Sequence, residues 1–136
     1  MDELRNILVV DDEPSIVMTI EMLLEDDYNV KSFDTKACGK QVLEWMNTPT
    51  AKVDFAILDL LINGISGIDI AEKVIEKFGD VGIIFLTGCD KRSEIFIKAK
   101  SFISDHKNIQ IFTKPFDEIK NINFSDFIEN ELEKAF

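Results

Sequence analysis

The chain has 136 residues, of which 46% are hydrophobic and eleven are phenylalanine, a composition that predicts one globular domain with a substantial core. Its 15 lysine and arginine residues are outnumbered by 26 aspartate and glutamate residues, which gives a formal net charge of −11. So acidic a domain repels phosphate backbones, which argues against direct nucleic-acid binding and favours cations or a basic partner surface.

No apolar stretch of the sequence approaches the roughly 20 residues that a membrane-spanning helix requires. The first residues, MDELRN, lack the basic start and apolar run of a secretory signal. The two cysteines, Cys38 and Cys89, are not in a metal-ligand spacing, and we expect both to be reduced thiols. We therefore expect a cytoplasmic protein with no membrane partner.

Short apolar runs alternate with helical patterns along the chain. The first run, Asn6–Val10, indicates a buried strand, and the helical pattern after it has Pro14 in its first turn. The second helix is predicted to begin after a cap at Asp34 or Thr35. The other four predicted strands are Tyr28–Phe33, Val53–Leu58, Gly82–Leu86 and Asn108–Phe112.

Three further helical patterns follow the third, fourth and fifth strands. The third helix, SGIDIAEKVIEKFG, is predicted to end at Gly79. The fourth, DKRSEIFIKAKSFISDH, and the last, NFSDFIENELEKAF, complete five strand–helix units, and such strict alternation predicts an α/β domain with a parallel sheet. In the fourth helix, Phe96 and Ile97 are predicted to fall outside the apolar face. That face contains Ile95, Ala99, Phe102 and Ile103.

Polar residues follow four of the predicted strands at their carboxyl ends. Asp11 and Asp12 follow the first strand, Asp59 the third, Thr87 the fourth and Lys114 the fifth. The carboxyl ends of parallel strands share one edge of the sheet, where open α/β sheets bind their ligands. We therefore expect these five side chains to converge on one crevice.

The chemistry of this set indicates phosphoryl transfer at a metal site. Two carboxylates about 4 Å apart repel by on the order of 4 kcal/mol at an effective dielectric constant of ~20, and a hard divalent cation such as Mg²⁺ relieves that repulsion. A lysine and a hydroxyl beside the metal suit a transferring phosphoryl group, and carboxylates serve as covalent acceptors. Asp59, which follows the predicted central strand, is the candidate acceptor.

Each residue also has an ordinary interpretation when taken alone. The pair Asp11–Asp12 is typical of a helix N-cap region, and Asp59 of a loop. Thr87 before a glycine is typical of a turn, and Lys114 of a solvated surface. Only their conjunction at corresponding strand ends favours a site.

Four stretches that together span nearly the whole chain resemble a response-regulator receiver domain of two-component signal transduction, in the CheY-like superfamily. They are ILVVDDEPSI, FAILDLLINGISGIDI, IIFLTG and FTKPF. The resemblance implies a flavodoxin-like, doubly wound (βα)₅ fold whose five-stranded parallel sheet has the order 2-1-3-4-5. It also implies that residues 1–136 form one receiver domain, with its core at about 4–134, and that an output domain beyond the C-terminus is possible.

The resemblance further implies a role for each residue of the predicted crevice. Asp59 would accept a phosphoryl group from a phosphohistidine of a sensor histidine kinase or a histidine phosphotransfer protein. Mg²⁺ would be bound by Asp59, by Asp12 directly, by Asp11 mainly through water, and by the backbone carbonyl of Leu61. Thr87 would hydrogen-bond the phosphoryl group, and Lys114 would pair with it.

Phosphorylation would then switch the surface of the fourth helix, fifth strand and fifth helix, which controls an output or partner and offers a possible homodimer contact. Such a chain is not an enzyme in the usual sense, because only self-directed phosphotransfer and autodephosphorylation are expected.

The resemblance is incomplete in three places. Asn63 replaces a usual proline, and the separation of Thr87 from Lys114 (114 − 87 = 27 positions) is long. Ile111 replaces the usual switch aromatic, and strand alternation directs Phe112 to the other face.

Three rival functions can be compared with this pattern. A degenerate receiver would serve as a docking module without phosphorylation. An aspartyl-phosphate phosphatase of the haloacid dehalogenase type would need an aspartate two positions after the nucleophile, where this chain has Leu61. A nucleotide-binding module would need a glycine-rich phosphate loop, which the sequence lacks. The lone histidine, His106, is predicted to be a solvated loop residue and not a phosphohistidine.

Overall fold

The computed structural model describes residues 4–34, 38–62, 65–113 and 124–135. Strands and helices alternate along these residues, as the sequence predicts, except that two further short strands follow the third strand. The elements are β1 (Asn6–Val10), α1 (Pro14–Leu24), β2 (Asn29–Phe33), α2 (Cys38–Met46), β3 (Phe55–Leu58), β4 (Leu61–Ile62), β5 (Ile65–Ser66), α3 (Gly67–Phe78), β6 (Gly82–Thr87), α4 (Glu94–Ser104), β7 (Ile109–Thr113) and α5 (Phe124–Ala135).

The main sheet has five parallel strands in the order β2-β1-β3-β6-β7. This confirms the predicted doubly wound fold and its strand order. The order makes β1, β3 and β6 the three inner strands, so their carboxyl ends are immediate neighbours. The sequence did not predict the small antiparallel ribbon of β4 and β5, which lies between β3 and α3.

Two hydrophobic cores cover the two faces of the sheet. The first core packs the sheet against α2, α3 and α4, and the second packs it against α1 and α5. Alternate residues of one strand enter different cores. In β1, Leu8 and Val10 belong to the first core, whereas Ile7 and Val9 belong to the second. Burial of a side chain of this size contributes about 1.5–3 kcal/mol, so the two cores hold the inner strands rigidly in register.

Most element boundaries lie within one or two residues of the predicted ones, and at β3 and α4 a side chain bonds to the backbone beside the observed start. β3 begins at Phe55, two residues late, after Asp54 accepts a 2.7 Å hydrogen bond from the backbone N–H of Asn6. α4 begins at Glu94 because the hydroxyl of Ser93 caps it by accepting from the N–H of Phe96. The predicted end of α3 at Gly79 is confirmed, and this glycine has a φ of 85°.

One prediction about α4 is wrong. Phe96 does not lie outside the apolar face but is buried, three residues before the buried Ala99. The hydrophobic face is wider than the predicted stripe, because Phe96 and Ala99 lie at its centre, whereas Ile97 is 58% exposed. Two predicted features, the alternative cap Thr35 and the replacement Asn63, lie outside the described residues.

Gly67, the first residue of α3, is in close contact with the backbone of Asp59. Its N–H donates a 2.8 Å hydrogen bond to the carbonyl of Leu60. A Cβ built at Gly67 would overlap the carbonyl oxygen of Asp59 and lie 2.9 Å from its carbonyl carbon. Only glycine lets α3 start this close to the residue that follows β3.

We therefore expect Gly67→Ala to destabilise the fold by about 2 kcal/mol, because backbone atoms cannot yield to the added methyl group as a flexible side chain would. Urea unfolding followed by circular dichroism measures the change. Gly88→Ala is the matched control, since no described atom lies within 4 Å of a Cβ built there, and it should alter stability by less than about 0.5 kcal/mol. Equal effects of the two substitutions would contradict the steric argument.

Candidate functional site

The carboxyl ends of the inner strands carry the polar residues that the sequence singled out. Asp11 and Asp12 follow β1, Asp59 follows β3, and Thr87 is the last residue of β6. All four are described, and the strands that carry them are adjacent in the sheet. Lys114 lies outside the described residues, so its place and role stay predictions.

Three carboxylates meet at this edge. Asp11, Asp12 and Asp59 each offer a carboxylate oxygen, and these oxygens all lie within 4.8 Å of one another. Asp11 is 2% exposed and Asp59 is 6% exposed, whereas Asp12 is half-buried. The cluster therefore combines two buried carboxylates with one that reaches the surface.

Backbone N–H groups make the buried carboxylates tolerable. Oδ1 of Asp59 accepts a hydrogen bond of 3.3 Å from the N–H of Leu61, and Oδ1 of Asp11 accepts one of 2.9 Å from the N–H of Glu13. Each acceptor thus bonds to the backbone two residues further along the chain. Hydrogen bonding of this kind offsets part of the desolvation of a buried carboxylate.

The backbone of the two buried aspartates is also tied to neighbouring strands. The N–H of Asp59 donates to the carbonyl of Val10 at 2.9 Å, and the N–H of Asp11 donates to the carbonyl of Phe33 at 3.1 Å. These bonds extend the parallel ladders of β3 with β1 and of β1 with β2 by one step. The backbone of Asp11 and Asp59 therefore continues the register of the sheet, although both residues lie beyond the ends of its strands.

Thr87 is fully buried, and its hydroxyl oxygen accepts a hydrogen bond of 3.0 Å from the N–H of Cys89. This bond joins the end of β6 to the loop that leads into α4. The thiol of Cys89 is free, and its side chain is half-buried against the first core. Sequence reasoning missed this contact, for which the only signal was the short spacing between the two residues.

The donor set fits a hard divalent cation such as Mg²⁺. Such ions prefer oxygen ligands and commonly take one or two carboxylates, and their charge offsets the mutual repulsion of like-charged groups. Asp11, Asp12 and Asp59 are the residues that would hold the ion. The predicted ligand role of the Leu61 carbonyl stays a prediction. The Leu61 side chain is 57% exposed.

The replacement at position 111 has the predicted consequence in packing. Ile111 packs against the first core, on the α4 side of the sheet, whereas Phe112 packs against the second core on the opposite side.

His106 is exposed, as predicted, but its ring stacks on that of Phe102 with centroids 4.1 Å apart. Among the described residues, no helix combines the length and apolarity needed to cross a bilayer.

Comparisons with known proteins agree on one relationship. The sequence profile described as Response regulator receiver domain matches residues 7–123. Response regulator UvrY of Escherichia coli (strain K12) is 33% identical over 82 residues, which cover 60% of this chain and 37% of UvrY. Regulatory protein VanR of Enterococcus faecium is 34% identical over 121 residues, which cover 85% of this chain and 46% of VanR. The chain spans less than half the length of these two relatives.

Solved structures give the same result. A response regulator receiver protein from Sinorhizobium medicae WSM419 superposes with a TM-score of 0.72 at 20% identity, covering 98% of this chain and 94% of that one. At that identity the likeness establishes the fold. Response regulator TrrA of Thermotoga maritima, whose crystal structure is a complex with Mg²⁺ and BeF, superposes with a TM-score of 0.64 at 26% identity. That match covers 98% of this chain and 100% of the TrrA chain.

The carboxylate cluster generates a prediction about stability. Asp12→Asn removes one of three mutually repelling charges, so in EDTA the variant should be more stable than the native chain by about 1 kcal/mol. At a Mg²⁺ concentration 100-fold above the dissociation constant, the native chain should gain about 2.7 kcal/mol, and the variant should lose most of that gain. Urea unfolding with and without Mg²⁺ measures both effects.

Asp26→Asn is the matched control, because Asp26 is an exposed aspartate in the turn after α1. It should change neither the stability in EDTA nor the gain from Mg²⁺ by more than about 0.5 kcal/mol. A native chain that Mg²⁺ does not stabilise would contradict a cation site at this cluster.

Proposed function

Because the chain belongs to the response regulator receiver domain family, we propose that it is the phosphoacceptor module of a two-component phosphorelay and that Asp59 receives the phosphoryl group. The observation that carries this proposal is the meeting of three carboxylates within 4.8 Å at the ends of β1 and β3. Only Asp59 of the three follows the central strand, next to the strand that ends in Thr87.

The reaction needs a phosphohistidine donor. A carboxylate oxygen of Asp59 forms a bond to phosphorus as the phosphorus–nitrogen bond of the donor breaks, and the nitrogen leaves as an imidazole that takes up a proton. The backbone hydrogen bond from Leu61 to Oδ1 orients the attacking carboxylate. A bound Mg²⁺, held by Asp11, Asp12 and Asp59, would supply positive charge for the transferring oxygens.

The product carries about two negative charges and new acceptor oxygens at the mouth of the sheet. The hydroxyl of Thr87 has a proton to donate to such an oxygen, and Lys114 is the proposed counter-charge. Because Thr87 is bonded to the N–H of Cys89, its displacement acts on the loop before α4. We place the switched surface on α4, β7 and α5, where an output, a partner or a second copy would bind.

The relatives support the same assignment. TrrA, at 26% identity, was crystallised with Mg²⁺ and BeF, and the corresponding ligands for this chain are Mg²⁺ and a phosphoryl group. The proposed partners are a sensor histidine kinase or a histidine phosphotransfer protein in the cytoplasm. Nucleic acid is not a proposed ligand of this domain, because its net charge of −11 repels phosphate backbones.

Acetyl phosphate with Mg²⁺ tests the proposal without a cognate kinase. Intact-mass spectrometry should show one phosphoryl group on the native chain and none on Asp59→Asn, because the amide lacks the nucleophilic oxygen. Asp80→Asn is the control, since Asp80 is exposed and lies before β6, at the amino-terminal edge of the sheet. It should be modified as fast as the native chain.

Two results would contradict the proposal in different ways. A native chain that takes up no phosphoryl group in Mg²⁺ would favour the phosphorylation-independent docking module. Sustained turnover of a generic phosphate monoester would favour the phosphatase. That reaction is disfavoured by Leu61, which is apolar where a carboxylic acid is required.

A further inference from the structure

Three aromatic rings run from the core to the surface at the C-terminal half of α4. Phe85 of β6 is fully buried, and its ring meets that of the half-buried Phe102 edge to face, with centroids 6.3 Å apart. Phe102 in turn stacks on His106, with centroids 4.1 Å apart and ring planes inclined by 29°. The Nδ1 of His106 lies 2.8 Å from the carbonyl oxygen of Phe102, which fixes the outer ring to the end of the helix. We name Phe85, Phe102 and His106 together the ring stack.

The ring stack lies where β7 supplies no ring of its own. Ile111 is the register partner of Phe85 on the neighbouring strand, and it packs into the same core. Phe112 packs on the opposite face of the sheet. Among the described residues, the ring contact between the sheet and α4 therefore joins Phe102 of α4 to Phe85 on the inner strand β6, and not to the edge strand β7.

β6 also carries Thr87, two residues after Phe85 and on the same face of the sheet. Both side chains are fully buried, in an interior where close packing transmits small displacements. A pull on Thr87 toward an occupied Asp59 therefore acts on the strand end next to Phe85. The half-buried Phe102 and the exposed His106 have room to respond, because each has solvent on one side.

We propose that the ring stack carries the response from the Asp59 site to the C-terminal end of α4, with Phe102 as the positioning residue. This inference rests on the proposed function of Asp59. It differs from a route through the loop of residues 88–93, which reaches α4 at its N-terminal end through the bond between Cys89 and Thr87. The two routes predict different responses at the two ends of the helix.

His106 is an internal reporter, because it is the single histidine of the sequence. The chemical shifts of its ring protons depend steeply on the position of the stacked Phe102 ring. NMR spectra of the full chain at one fixed pH, with Mg²⁺ alone and then with Mg²⁺ and beryllofluoride, should show these signals shifted by more than their linewidth. Fluorine-19 spectra report independently whether beryllofluoride has bound at Asp59. Asp59→Asn should abolish both the fluorine-19 signal of bound beryllofluoride and the shift change at His106.

Phe85→Leu breaks the inner contact and leaves the reporting pair of Phe102 and His106 intact. It should bind beryllofluoride but lose at least half of the shift change at His106. Phe55→Leu is the matched control, because Phe55 is a buried phenylalanine of β3 that packs in the second core, on the opposite face. It should keep the full shift change, although it loses a similar amount of buried surface.

Phe102→Leu gives a second test that does not depend on Phe85→Leu being folded. Hydrogen exchange of α4 amides should change on beryllofluoride binding at residues 94–97 in both chains, but at residues 102–104 only in the native chain. A silent His106 in a native chain with bound beryllofluoride overturns the inference and leaves the proposed function standing. A full response in Phe85→Leu, or a full change at residues 102–104 in Phe102→Leu, also overturns it. Failure of the native chain to bind beryllofluoride overturns the proposed function and the inference together.

Discussion

The repulsion among three carboxylates at adjacent strand ends is the constraint on which the rest of the site depends. A parallel sheet makes this arrangement almost unavoidable once aspartates follow β1 and β3, because the two strands are paired in register from Ile7 and Phe55 to Val10 and Leu58. The two cores hold that register, so the charges cannot separate without loss of the packing behind them. The fold therefore holds three carboxylates close together at a place where a divalent cation would reduce their mutual repulsion.

Backbone hydrogen bonds hold the buried carboxylates in place. The carboxylates of Asp11 and Asp59 each accept a hydrogen bond from the N–H two residues further along the chain, and the backbone N–H of each residue donates to a carbonyl of a neighbouring strand. These bonds hold the carboxylates beyond the ends of the strands in a defined direction. The glycine at position 67 adds a steric condition, because α3 must start against the carbonyl of Asp59. Electrostatics and close packing thus position the same residue, and loosening either one affects the other.

Much of the fold could be predicted from the sequence because its signals are repetitive. Alternating apolar runs and helical patterns placed five parallel strands, and the strand Asn6–Val10 agrees residue for residue. The ribbon of β4 and β5 escaped prediction because strands of two residues leave no periodic pattern. The burial of Phe96 escaped because the width of a helical face depends on what the sheet presents to it, which local spacing does not contain.

The site was predictable to a different degree. The rule that parallel strands share their carboxyl ends is enough to bring Asp11, Asp12 and Asp59 together, and it needs no coordinates. The contacts that orient them are hydrogen bonds from backbone N–H groups, which nearly every residue type can donate. The identities of Leu61 and Glu13 therefore did not indicate that these residues are the donors. The bond between the Thr87 hydroxyl and the N–H of Cys89 was invisible for the same reason.

One strand connects the site with the surface. β6 ends in Thr87 at the carboxylate edge, carries Phe85 against α4, and pairs with β7 along five register positions from Ile83 to Thr87. An inner strand buried at every residue cannot move by bending into solvent, so a displacement at its end must appear in the groups packed on its faces. With an isoleucine beside it on β7, the groups free to respond are those of α4, where aromatic rings already reach from the core to the surface. An isoleucine at position 111 of the edge strand is thus compatible with the proposed switch, provided that α4 supplies the ring that β7 lacks on this face.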